Sequence, residues 1–127
     1  MSESALLLDS NIVVWLDQKP SRISPAALRR LESAPQVFLS AVTAWELGIK
    51  QAQGALTLLR PVSDLIQTHA MTELPVTLRH GEAVRYLPLH HRDPFDRLLV
   101  AQAMVEGLVL VTGDRQLMDY GVPILLV

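Results

Sequence analysis

Four carboxylates, Asp9, Glu46, Asp96 and Asp114, stand at positions that an open α/β sheet would draw together. Asp9 closes the apolar run Leu6-Leu7-Leu8, and Asp114 closes Leu108-Val109-Leu110-Val111-Thr112. Glu46 lies shortly past Val37-Phe38-Leu39-Ser40, and Asp96 opens a helix that follows a loop. Ligands of open parallel sheets bind outside the carboxyl ends of the strands. Carboxylates gathered there repel one another, at roughly 4 kcal/mol for a pair ~4 Å apart and an effective dielectric near 20. Such a cluster calls for a cation, and hard oxygen ligands suit Mg²⁺ or Mn²⁺. Metal-assisted phosphodiester cleavage is the chemistry that follows.

Each acid also has a purely structural reading. Asp9 and Asp114 can serve as turn formers or N-caps of the next helix, although Ser10 and Asn11 could cap in place of Asp9. Glu46 falls on an apolar stripe with Val42 and Ile49, where a carboxylate is costly unless paired or bound to metal. Its bland alternative is an i,i+4 pair with Lys50. Ala41, Ala44 and Gly48 make a second, small-residue face on the same helix. In Arg92-Asp93-Pro94-Phe95-Asp96-Arg97, proline fits the first helical position and makes Asp93 the N-cap. Asp96 then lies on the inner stripe with Leu99, Val100 and Ala103 as the ligand, with Asp93 as its positioner; the alternative for Asp96 is a helix-dipole partner. Thr112 offers a hydroxyl beside Asp114. His90 and His91 lack the spacing of a metal pair and read as loop residues. Trp15 and Trp45 read as core or interface residues rather than base-stacking platforms, and Asp17 and Asp119 as solvated surface acids.

The elements that must position these groups alternate strand and helix. Strands are expected at Leu6–Leu8, Val37–Leu39, 74–76, Leu108–Val111 and Ile124–Leu126. Between them come helices at 11–16, 25–33, from the Ser40 cap to about Gln53, near 62–71, at 78–86, at 94–106 before Gly107, and a short one at 115–120. Continuous apolar strands argue for a parallel sheet covered on both faces. The 127 residues show no repeat or linker and read as one domain, with its core from about residue 5 to 127.

Half of the residues are hydrophobic and 19% are charged, which excludes a disordered chain. The apolar runs fall far short of the ~20 residues that cross a bilayer, and Met1-Ser2-Glu3-Ser4-Ala5 lacks a basic secretory start. With no cysteine, a cytoplasmic setting is expected. The net charge of −2 does not advertise a nucleic-acid binder. Basic residues nevertheless stand close to the acids, namely Lys50 to Glu46, Arg92 and Arg97 to Asp96, and Arg115 to Asp114.

Four segments carry a resemblance to a known family: Leu-Leu-Leu-Asp9-Ser-Asn-Ile-Val-Val-Trp15, Ser40-Ala-Val-Thr-Ala-Trp45-Glu46-Leu-Gly-Ile-Lys50, Asp93-Pro-Phe-Asp96-Arg-Leu-Leu-Val-Ala-Gln102-Ala and Val-Thr112-Gly-Asp114. In this order they resemble PIN-domain ribonucleases, most of all VapC-type toxins of bacterial toxin–antitoxin pairs. The resemblance implies a single α/β PIN-like domain with a five-stranded parallel sheet flanked by helices. It implies an acidic quartet, Asp9, Glu46, Asp96 and Asp114, that binds one or two Mg²⁺ or Mn²⁺ ions and cleaves RNA. Asn11 and Thr112 would support the ligands, and Lys50 or Arg97 would steady the developing negative charge. A homodimer and a cognate antitoxin are implied partners. Two rivals are a phospho-acceptor signalling domain and a non-catalytic RNA-binding module. The first would want paired acids by the first strand and a lysine after the last, whereas no lysine follows Lys50.

Overall fold

The computed structural model describes residues 4–90 and 92–127. Its strands are β1 (Leu6–Leu8), β2 (Val37–Ser40), β3 (Thr72–Leu74), β4 (Val109–Thr112) and β5 (Ile124–Leu126). They form one sheet in the order β3-β2-β1-β4-β5, with every pair parallel. Helices α1 (Ser10–Gln18), α2 (Pro25–Ser33), α3 (Ala41–Ala52), α4 (Val62–Thr68), α5 (Leu78–Ala83) and α6 (Pro94–Glu106) connect them, with 3-10 turns at Pro20–Arg22, Val84–Tyr86 and Arg115–Tyr120. This is the α/β architecture that the strand–helix alternation implied.

Side chains of a strand alternate between faces, and here that alternation divides the core in two. Leu6 and Leu8 of β1 join Val109 and Val111 of β4 in one cluster with Ile12, Leu39, Leu47 and Leu65. Leu7 and Leu110 point to the opposite cluster with Val42, Leu99, Val100 and Leu117. Helix α3 serves both, through Leu47 on one side and Val42 on the other. All three β1 leucines are fully buried, each stabilising by about 1.5–3 kcal/mol relative to exposure.

The caps show why helices begin where they do. Ser24 accepts from Ala27 N at 3.2 Å ahead of Pro25, and Ser40 accepts from Val42 N at 3.0 Å. Gly107 closes α6 at φ 68°, a left-handed conformation that suits glycine. Several boundaries differ from expectation. Helix α4 stops at Thr68, and β3 covers Thr72–Leu74 instead of 74–76. Ala70 turns the chain at φ 53°, β2 then fixes the register by pairing Phe38 with Thr72, and Pro75 has no N–H with which to extend the ladder. The expected helix at 78–86 tightens into a 3-10 turn after Ala83, and residues 115–120 are 3-10 rather than α.

Candidate active site

The candidate site is built on strand ends. The chain leaves β1 at Asp9, whose backbone N–H donates to Val111 O of β4 at 2.9 Å. Its side chain caps α1 by accepting from Asn11 N at 3.3 Å. The Thr112 hydroxyl donates to Asp9 Oδ2 at 2.6 Å while accepting from Asp114 N at 3.0 Å. One hydroxyl at the end of β4 thus links the acids that follow the two central strands. Asp114 caps the next turn by accepting from Gln116 N at 2.9 Å.

Glu46 sits on α3 with only 6% of its surface exposed. Ser10 Oγ donates to its Oε1 at 2.7 Å, and Lys50 Nζ donates to its Oε2 at 2.9 Å. Ser10 was read only as a possible cap; its contact with Glu46 joins α1 to α3 across 36 residues. The one local signal was its place next to Asp9. Lys50 is the i,i+4 partner anticipated as the bland alternative, and the burial of Glu46 makes it more than a surface pair.

Asp93 caps α6 by accepting from Phe95 N at 2.9 Å and Asp96 N at 3.4 Å. Asp96 lies half-buried in the first turn of that helix, one residue past Phe95. The Phe95 ring meets the Trp45 ring of α3 at 4.8 Å between centroids. Through this contact the α6 start abuts the α3 turn that carries Glu46. Arg97 turns to the preceding loop, donating to Pro88 O at 2.9 Å and Leu87 O at 3.3 Å. Asn11 is exposed at the start of α1.

Electrostatics concentrates at Asp9. Burial pushes its carboxyl above the ordinary 3.8, and the neighbouring Glu46 charge pushes the same way; Thr112 and the Asn11 backbone only partly offset this. Lys50 is raised above its ordinary 10.5, first by its hydrogen bond to Glu46, with smaller help from the charges of Asp93 and Asp9. A single ammonium therefore feels three carboxylates. The side chains do not form a ready cage: among the described residues, no three histidine, aspartate or glutamate groups converge as ligands for one ion. Glu46 is turned toward Ser10 and Lys50, and Asp114 toward the backbone it caps. Asp9, buried and held by neutral donors, is the group whose chemistry fits a hard divalent cation.

Among the other expectations, the one for Asp17 is revised by position. Asp17 is no surface acid: its side chain is 2% exposed and lies 3.4 Å from Arg60 Nε and 3.2 Å from His69 Nε2. Trp15 packs half-buried against the core beneath Arg22. Trp45 is outside the core, with 60% of its surface exposed. His90 packs against Tyr120 at 5.2 Å between ring centroids, and His91 lies outside the described residues.

Acids at the carboxyl rim of a five-stranded parallel sheet define the class of protein. A family model described as PIN domain matches residues 6–122, and the chain belongs to that family. It is 32% identical over 123 residues to Ribonuclease VapC22 of Mycobacterium tuberculosis, spanning 94% of this chain and 95% of that protein. The fold is shared with VapBC2 from Rickettsia felis bound to a promoter DNA fragment, at TM-score 0.71 and 13% identity over 95% of this chain and 97% of that one. It is shared also with DNA-bound VapBC from Salmonella typhimurium, at TM-score 0.64 and 20% identity over 96% and 97% of the two chains.

Proposed function

We propose that this chain is a divalent-metal-dependent endoribonuclease and the toxin of a toxin–antitoxin pair. The observation that carries the reading is the buried Asp9–Glu46 pair at the sheet rim, two carboxylates of which only Glu46 has a cationic hydrogen-bond partner among the described contacts. The likeness to VapC22, named a ribonuclease, supports the activity, and the VapBC neighbours support an antitoxin partner. Asp9 and Asp96 are the principal candidates to hold Mg²⁺ or Mn²⁺, with Glu46 and Asp114 beside them. The cation would supply Lewis acidity and a more acidic water. Thr112 and Ser10 orient the carboxylates; this kind of support is typically worth 10–100-fold in metal affinity or activity. Lys50 is held charged at the rim and offsets negative charge that develops on a phosphate. Arg97, engaged with the Leu87–Pro88 backbone, positions α6 instead.

A homodimer acting in the cytoplasm completes the proposal. No helix among the described residues is long and apolar enough to cross a membrane. The test is RNA cleavage with and without Mg²⁺ or Mn²⁺. The parent cuts only with metal, and Asp9→Asn and Asp96→Asn lose cutting by at least about 100-fold while remaining folded. Cleavage in EDTA, or full activity in either variant, overturns the reading. Uptake of label from a small phosphodonor with RNA left intact favours the phospho-acceptor alternative.

A further inference from the structure

Helices α3 and α6, which carry Glu46 and Asp96, are joined inside the fold by a hydrogen bond and at their edge by a pair of rings. Ser40, the N-cap of α3, donates its hydroxyl to Gln102 Oε1 of α6. Farther along α3, the Trp45 ring meets the Phe95 ring at the start of α6. The helices therefore run in opposite senses. Phe95 and Gln102 are seven residues apart, which places them on one face of α6 about two turns apart. Trp45 immediately precedes Glu46, and Phe95 immediately precedes Asp96. How α3 is seated along α6 thus decides how far apart these two carboxylates are held.

Gln102 is fully buried, and its partners leave its amide one orientation. Pro75 O can only accept, so it faces the NH2, which donates to it at 3.2 Å. The same NH2 lies 3.3 Å from His80 Nδ1, which already accepts from Thr77 N at 3.0 Å. Oε1 is left for the Ser40 hydroxyl, whose oxygen in turn accepts from Val42 N. Apolar contacts between helices tolerate sliding, whereas a satisfied buried polar network specifies one arrangement. Among the described residues no three acids stand ready around one ion, so their approach depends on how the helices are held. We propose that Gln102 is a positioning residue for the metal centre. Clamped by Pro75 and His80, it fixes α3 against α6 through Ser40 and so sets the gap between Glu46 and Asp96 that a divalent cation bridges. At the metal this rests on the nuclease reading; the seating of the helices does not.

The experiment reads seating and metal separately, without RNA. The chain is labelled with 5-fluorotryptophan, and Trp15→Phe assigns the Trp45 fluorine signal. In EDTA, Gln102→Met should shift that signal, and so should Ser40→Gly, glycine being a tolerated N-cap. Mn²⁺ uptake is then followed by the paramagnetic resonance of the free ion. Each variant should bind Mn²⁺ about tenfold more weakly than the parent. The double variant should bind no more weakly than Gln102→Met alone, because both changes cut the same bond. Asp17→Ala, at the far end of α1, should leave both the Trp45 signal and the Mn²⁺ affinity as in the parent. An unmoved Trp45 signal or parental Mn²⁺ affinity in the folded variants overturns the assignment. Equal weakening in Asp17→Ala does so too, by tracing the loss to stability. If Gln102→Met does not fold, Ser40→Gly carries both readings. A parent that takes up no Mn²⁺ refutes the metal-dependent nuclease, and the fluorine signal still decides whether Gln102 seats the helices.

Discussion

Asp9 is a carboxyl group whose surroundings disfavour its charge. Burial and Glu46 raise its pKa above the ordinary 3.8, so the folded chain holds the proton more tightly than the unfolded one. Stability then falls as pH rises from 3.8 through the folded value, the opposite of the usual salt-bridged acid. Asn at position 9 can still cap α1 through its one amide oxygen, while its NH2 takes the place of Oδ2 and donates to the Thr112 hydroxyl instead of accepting from it; it carries no charge. In EDTA at pH 7, Asp9→Asn should therefore melt at a higher temperature than the parent, with the gap closing as the pH is lowered. Added Mn²⁺ should raise the melting temperature of the parent and leave the variant unmoved. A variant that melts lower at pH 7, or that gains as much from Mn²⁺, contradicts this account. Ser10→Ala tests the other half of the pair. Losing the 2.7 Å bond to Glu46 should weaken cleavage by about 10–100-fold with little loss of helix α1. The positions of the acids at strand ends and helix starts were legible because each ends an apolar run or lies on an apolar stripe. The hydroxyls of Ser10 and Thr112 were not legible in these roles, since each acts on a carboxylate brought near only by folding.

Helix α6 is the element whose sequence says most about its own geometry. Asp93 and Pro94 start it and Gly107 stops it, as the sequence implies. Capping gives Asp93 a structural task, and on the proposed reading the metal falls to Asp96. Asp93→Asn should keep most cleavage, whereas Asp93→Ala should lose about 0.5–2 kcal/mol of stability in urea unfolding. Loss of activity in Asp93→Asn equal to that in Asp96→Asn would reverse the two assignments. Deeper in the same helix, Gln102 is fully buried, accepting from Ser40 Oγ and donating to Pro75 O at 3.2 Å. Beside it His80 Nδ1 accepts from Thr77 N at 3.0 Å, and Nε2 lies 2.8 Å from Glu106 Oε2. This polar seam locks the starts of α3 and α5 to α6. Nothing in the order of residues announced it, because a lone buried glutamine or histidine has no period. Strand β3 was misplaced by two residues for a related reason: its register is dictated by β2 rather than by its own side chains.

At the scale of the molecule, both core faces follow from three leucines in a row, and so the sheet was readable from hydrophobic pattern alone. The ion cluster around Asp17 was not, because Arg60 and His69 come from a segment more than forty residues away. Asp17 is buried but Arg60 is 41% exposed, so its loss leaves Arg60 to solvent and removes mainly hydrogen bonds to a charged group. Asp17→Ala should cost about 1.5 kcal/mol of stability by urea unfolding while RNA cleavage at low temperature persists; loss of cutting from a fully folded variant would give this cluster a part in the reaction. The placement of β1 has a further consequence for synthesis. The central strand β1 is made well before β4, with which it pairs, joining Leu6 to Val109. The bond between Thr112 and Asp9 closes over 103 residues. A nascent chain halted before Val109 owns three of the four acids but has neither the neighbour strand nor the hydroxyl that shape them. On the proposed reading, the acidic site is therefore assembled only once β4 has been made and has paired with β1.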